Sequence, residues 1–267
     1  MGAGLGYGLT PLLTFPAPSR ILGGMTNIFL WSDTHILHEK VAELRGFDSV
    51  EEHDEYIRDS WNSKVRKNDQ VILLGDLSMG SVENTLHFFQ SLPGTKDLIP
   101  GNHDAVHPMH RRSHRVFRRY LSTFRSIQAF DRRKFSGVEF NMSHFPYTGD
   151  HDGLVERHMD FRLRQSDVPL LHGHVHSEWK HRGNQINLGV EHWKDGPVPI
   201  EDVLALWNSI KDEVTDENYC DTYSSHFCSN TVLCYRIRCP YPQGTFATHA
   251  RREASGRPPL DKGCRAG

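Results

Sequence analysis

Five short clusters of potential ligands punctuate the chain: Asp33 and His35 in "SDTH", Asp76 in "GDLS", Asn102, His103 and Asp104 in "GNHD", His144 in "SHFP", and His174 and His176 in "GHVH". Carboxylates and imidazoles in such company can hold divalent cations or move protons. Singly, each cluster is ordinary, because this chain carries 18 histidines in 267 residues. Together, Asp33, His35, Asp76, Asn102, His144, His174 and His176 supply two carboxylates, four imidazoles and one amide oxygen. That exceeds what one tetrahedral ion needs and suits two ions sharing a bridging carboxylate, with positions left for water and substrate. Nitrogen and oxygen donors without a thiolate suit Mn, Fe, Co, Ni or Zn.

Each cluster follows a predicted strand. Strands are expected at 27–32, 70–75, 96–101, 137–143, 168–173 and 185–190, several of them continuous apolar runs such as "QVILLG" that fit a sheet covered on both faces. Helices are expected at about 50–65, 81–91, 109–125 and 200–210. This alternation predicts a layered α/β domain. Open α/β sheets bind ligands at the carboxyl ends of their strands, so clusters far apart in sequence are expected to converge there.

Composition sets the limits. With 31 Lys and Arg against 33 Asp and Glu, no global field selects nucleic acid or an anionic membrane. The run "LTPLLTFP" is short, is interrupted by Pro11 and Pro16, and has no basic residue before it, so it fits neither a secretory signal nor a membrane span. A soluble, cytoplasmic protein with no membrane partner is expected. Residues 1–24 read as a disordered or non-native extension, with Met25 as the natural start. Residues 25–210 read as the domain, and 211–267 as an irregular, Cys-containing, disordered tail. All five cysteines, Cys220, Cys228, Cys234, Cys239 and Cys264, lie in that tail, so disulfides do not staple the domain. A zinc site from Cys220, His226, Cys228, Cys234 and Cys239 matches no CxxC spacing.

The series DxH, GD, GNHD, H and GHxH over residues 33–176 resembles the calcineurin-like metallophosphoesterase superfamily in its small stand-alone bacterial and phage form. The closing "INLGVEHWKDGPVPIEDVLALW" extends the likeness across about 25–210. The resemblance implies an α/β/β/α sandwich with a dinuclear metal site at the strand carboxyl ends. It implies that Asp33, His35 and His176 hold one divalent ion, that Asn102, His144 and His174 hold the other, and that Asp76 bridges them, with Mn the first expectation. Water between the ions, acidified toward hydroxide, would attack phosphorus. His103 resembles the family's catalytic histidine, which steadies a phosphoryl oxygen or protonates the leaving alkoxide, with Asp104 orienting it; Asn102 and His103 would also touch substrate. His172 is not required by the motif and reads as structural. His38 stays open between a site-facing side chain and a solvated helix-start histidine.

Departures from subfamily patterns narrow the substrate. "GDLSMGS" lacks the arginine that resembles the phosphate clamp of Ser/Thr protein phosphatases, and Met79 stands where a purple acid phosphatase would place its iron-binding tyrosine. The resemblance therefore points to hydrolysis of small phosphomonoesters or phosphodiesters, nucleotides included. A nuclease or cyclic-nucleotide phosphodiesterase on the same scaffold is the alternative, and a non-catalytic interaction scaffold is the rival from another class. Residues 107–134 hold eight Arg and one Lys against one Asp, with Phe117, Tyr120, Leu121, Phe124 and Ile127 at helical spacing. The segment reads either as an amphipathic helix packed by that stripe, or as a nucleic-acid platform built from the arginines of 111–133.

Overall fold

A computed structural model describes residues 26–150 and 156–212, all within one compact unit, Met1–Asp221. The expected N-terminal extension, its Met25 start and the Cys-bearing tail beyond Asp212 lie outside the described residues. Two five-stranded mixed sheets and their helices make a mixed α/β fold. Four strands of the first sheet are parallel: β1 (Ile28–Trp31), β2 (Gln70–Leu73), β3 (Thr95–Leu98) and β4 (Ser126–Ile127). The connections carry α1 (Glu39–Leu44) and α2 (Val50–Lys64), then α3 (Val82–Ser91), then α4 (Ser113–Tyr120). The second sheet runs in the order β5 (Asp131–Phe135), β6 (Val138–Met142), β7 (Leu170–His172), β9 (Gln185–Asn187), β8 (His181–Arg182). β10 (Val198–Pro199) then returns antiparallel to β1, and α5 (Ile200–Ile210) follows.

The apolar runs explain this pairing. Leu30, Trp31, Ile72 and Leu73 are fully buried, because both faces of a parallel strand are covered. α2 starts where the Ser49 hydroxyl accepts from Glu52 N, with Glu51 and Glu52 favourably placed against the helix dipole. Its Ile57 and Trp61 then enter a core cluster that also takes Phe140, Met142, Leu171 and Ile186 from the second sheet. Each such side chain contributes about 1.5–3 kcal/mol by leaving water.

Two sequence expectations need correction. The helix expected over 109–125 is only α4, because tight turns at His107, His110 and Ser113 occupy its first stretch and its end is closed at Leu121. Tyr120 and Phe124 are buried as expected, whereas Phe117 and Leu121 are exposed and Ile127 lies in β4. Charged "DRRKF" is the edge strand β5, its arginines held by carboxylates rather than by a helix face.

The sheets meet where the site lies. Ser32, just past β1, bridges Gly189, just past β9, and Ser32 N donates to Leu188 O at 3.0 Å. No helix among the described residues is long and apolar enough to cross a membrane.

Candidate metal centre

The loops after β1, β2 and β7 turn abruptly. Asp33, His35, Asp76, His174 and His176 all adopt left-handed backbone, with φ of 57°, 46°, 50°, 74° and 45°. Such conformations are unfavourable for residues with a Cβ and persist where the surroundings over-determine them, which marks these turns as functional candidates. Hydrogen bonds hold them: Asp33 N donates to Gly75 O and His35 N to Asp76 O, both at 3.0 Å. A Cβ on Gly173 would collide with Ser32 Oγ and Asp33 Oδ2, so this position needs glycine for the two loops to touch.

Two groups of donors result, Asp33 with His35 and His176, and Asp76 with His144 and His174. His35 Nε2 and His176 Nε2 stand 3.1 Å apart, and Asp33 Oδ1 lies 3.9 and 4.0 Å from them. In the second group His144 Nε2 is 3.4 Å from Asp76 Oδ2 and 3.3 Å from Asn102 Oδ1. Asp76 Oδ2 is also 3.7 Å from His35 Nε2, so one oxygen faces both groups. Two donors bound to one ion at about 2.1 Å stand roughly 3.0–3.4 Å apart; the His35–His176, His144–Asn102 and His144–Asp76 pairs meet that spacing, whereas Asp33 Oδ1 and the Asp76–His35 pair would have to draw in by a few tenths of an ångström around a cation. All seven residues singled out as ligands are brought together.

No family profile matches the chain. It is 37% identical over 205 residues to the gene 66 protein of Mycobacterium phage L5, covering 71% of this chain and 98% of that protein. It is 36% identical over 200 residues to the gene 66 protein of Mycobacterium phage D29, covering 70% and 99%. The chain belongs to the gene 66 family. An uncharacterized protein of Methanocaldococcus jannaschii is 27% identical over 196 residues, covering 68% of this chain and 92% of that protein. A crystal structure of a protein of unknown function from Aquifex aeolicus superposes with a TM-score of 0.53 at 23% identity, over 68% of this chain and all of that one, a likeness of fold.

In this gene 66 family chain some of the imidazoles also meet partners beyond the two donor groups, whereas His35 Nδ1 is buried with no hydrogen-bond partner among the described residues. His144 Nδ1 donates to Leu74 O at 2.7 Å, and Asp150 Oδ1 lies 3.3 Å from His174 Nε2. His176 Nδ1 meets Glu191 Oε1 at 3.1 Å. Arg45 donates to that carboxylate from Nε and Nη2, and to the carbonyls of Asp33 and Thr34. Behind it, His53 Nε2 takes a bond from Arg45, its Nδ1 faces Asp54, and Asp54 receives Leu37 N. A buried His and Asp on α2 therefore brace the first ligand loop. The sequence reading missed Arg45, His53, Asp54 and Glu191. Glu191 alone carried a signal, because it follows β9 as the other ligands follow their strands.

The structure corrects one role. Asp104 does not orient the His103 ring: its carboxylate accepts the backbone N–H groups of Gly101, Asp76 and Leu77, and so ties the second and third loops together. His103 N donates to Asp76 Oδ1 at 2.8 Å, while its ring Nε2 lies 3.9 Å from Asp76 Oδ2 and its side chain is 38% exposed. His38 does both things left open above. Its Nδ1 caps α1 by accepting Val41 N, and its ring stands 5.5 Å from His35 and 6.4 Å from His103. His172 is structural, fully buried with Nδ1 on Gly173 O.

Burial would raise Asp76, but His144, His35 and His103 outweigh it and hold its carboxyl well below the usual range. Burial would lower His144, but the charge and hydrogen bond of Asp76 lift it to about 9. Burial likewise opposes charge on His176, and Glu191 and Asp33 raise it nonetheless. Burial pushes Asp33 up.

Proposed function

We propose that this protein is a dinuclear-metal-dependent phosphoesterase of the calcineurin-like metallophosphoesterase type, built as that superfamily's α/β/β/α sandwich and working in the cytoplasm. The observation that carries the reading is the single oxygen, Asp76 Oδ2, standing 3.7 Å from His35 and 3.4 Å from His144, between two donor groups. Asp33, His35 and His176 would hold one divalent cation, and Asn102, His144 and His174 the other, with Asp76 shared; Mn is the first choice. Bound there, the pair would supply Lewis acidity toward the phosphoryl oxygens and a strong nucleophile at neutral pH.

The chain's own residues complete the reaction. In hydrolysis a water oxygen bonds to phosphorus while the ester P–O bond breaks, and the departing alkoxide needs a proton. His103 is the exposed imidazole placed to donate it, because its backbone fixes the loop to Asp76 while its ring stays free to meet substrate. Asn102 stands beside His144 and would touch the same phosphoryl group. His103 beside a full ligand set favours catalysis over a scaffold.

The test is turnover of a chromogenic phosphomonoester, a phosphodiester, a cyclic nucleotide and an oligonucleotide by the Mn-loaded protein. Activity that EDTA removes and Mn restores is expected on a mono- or diester. Full metal occupancy with no turnover of any of the four would overturn the reading and leave the scaffold in its place.

A further inference from the structure

The arginines of 111–133 divide into two sets. Arg119 pairs with Glu83, Arg125 and Arg133 share Asp97, and Arg132 pairs with Glu139, so these four hold the fold. Arg111, Arg112, Arg115 and Arg118 are exposed, and none of their guanidinium groups makes a hydrogen bond or ion pair among the described residues. No Asp or Glu occurs from residue 105 to 130, so nothing nearby in sequence balances them. Arg112, Arg115 and Arg118 recur every three residues along one side of α4, with Arg111 four before Arg115, an arrangement that repels itself and opposes helix formation.

An apolar feature accompanies the charge. Phe117 is 39% exposed within this set, and it lines a groove of about 420 Å³ with Pro100, Val106, His114, Arg118 and Ile127. Pro100 and Val106 flank in sequence the loop that carries Asn102 and His103, and His110 Nε2 bonds Asn102 O at 2.8 Å. The turn that leads into the charged face is therefore anchored to the loop that carries Asn102 and His103.

We propose that Arg111, Arg112, Arg115 and Arg118, with Phe117 beside them, form a docking surface for single-stranded nucleic acid, which is the phosphodiester polymer this site hydrolyses. Guanidinium forks match phosphate oxygens, and an exposed aromatic ring offers a face on which a base can stack. A duplex hides its bases, which is why Phe117 selects the single strand. As a substrate assignment this rests on the phosphoesterase reading, whereas docking stands without it. Cleavage adds water across one P–O bond and leaves a phosphomonoester and a hydroxyl.

The experiment measures fluorescence anisotropy of a labelled oligo(dT) of about 16 nucleotides with the full chain in EDTA, across a salt series. Replacing all four arginines by Ala should reduce the slope of log K against log salt by about 3, at roughly 0.7 per phosphate contact on single strands. The four-Lys variant should keep most of that slope. Phe117→Ala should weaken binding by about 5- to 100-fold and leave the slope unchanged. An unchanged slope in the four-Ala variant with its circular dichroism intact, equal duplex affinity insensitive to Phe117→Ala, or binding to phosphatidylserine vesicles in place of oligo(dT) would each overturn the surface. A second arm adds Mn. If a chromogenic diester turns over and bound oligo(dT) is not cut, the substrate assignment falls; if neither reacts while binding persists, the phosphoesterase reading falls and docking stands.

Discussion

Glu191 Oε1 lies 3.1 Å from His176 Nδ1, and that contact turns the imidazole so that Nε2 faces His35 Nε2 across 3.1 Å. A carboxylate on the outer nitrogen fixes the tautomer and raises the basicity of the inner one. Arg45 in turn holds the carboxylate and two carbonyls of the Asp33 loop. Glu191→Gln is therefore expected to weaken Mn binding by about 10- to 100-fold, with the circular dichroism spectrum retained. Titration calorimetry checks this, and an unchanged affinity would show that His176 needs no outer partner.

Asp76 and His103 are adjacent yet should fail differently. Asp76→Asn removes the shared oxygen, so the metal stoichiometry should drop below two and turnover should fall below detection. His103→Gln leaves every donor in place, so both ions should stay while turnover drops by about 10²- to 10⁴-fold, the range for lost proton transfer. Elemental analysis of each purified variant separates the two roles, and loss of metal from the His103 variant would make it a ligand.

His172 should govern part of the acid sensitivity. Burial pushes it down to about 3, and although Nδ1 reaches Gly173 O, its Nε2 is enclosed without a hydrogen-bond partner. The unfolded chain binds this proton near pH 6.5 and the folded chain does not, so stability is full above that pH and declines as pH falls toward 3. At pH 5 the loss from this residue is about 2 kcal/mol. Urea melts in EDTA at pH 7.5 and 5 should show the gap narrowing by that amount in His172→Gln.

How far the sequence reached follows from where each signal resides. Strands such as β2 announce themselves because both faces are covered, and a ligand such as Asp76 shortly after one is already placed at the carboxyl end. β5 was hidden because, apart from the local Asp131–Arg133 pair, the partners of Arg132 and Arg133 are Asp97, Glu139 and Asn141, on β3 and β6. Phe117 fell at helical spacing with buried Tyr120, but α4 turns that side outward. Arg45 and Glu191 are 146 residues apart, and no local pattern records a bond that exists only once Ser32 and Gly189 have met. Asp104 was misread for the same reason: its three backbone partners come from two loops.

Metal binding should release a proton. His144 is lifted to about 9 by Asp76, so at pH 7.5 the metal-free site carries an imidazolium whose Nε2 points at the shared carboxylate. A cation needs that nitrogen neutral, so binding must expel the proton. About one proton per chain should appear at pH 7.5, falling toward zero above pH 9, with Mn affinity rising over that interval. Calorimetry in two buffers of different ionisation enthalpy counts it directly. Each ion should stabilise the fold by about 2.7 kcal/mol at one hundred times its dissociation constant, so EDTA should lower the melting temperature by roughly 5–10 °C per occupied site. No proton release together with an EDTA-insensitive melt would mean that the two donor groups hold their charge among themselves and bind no cation.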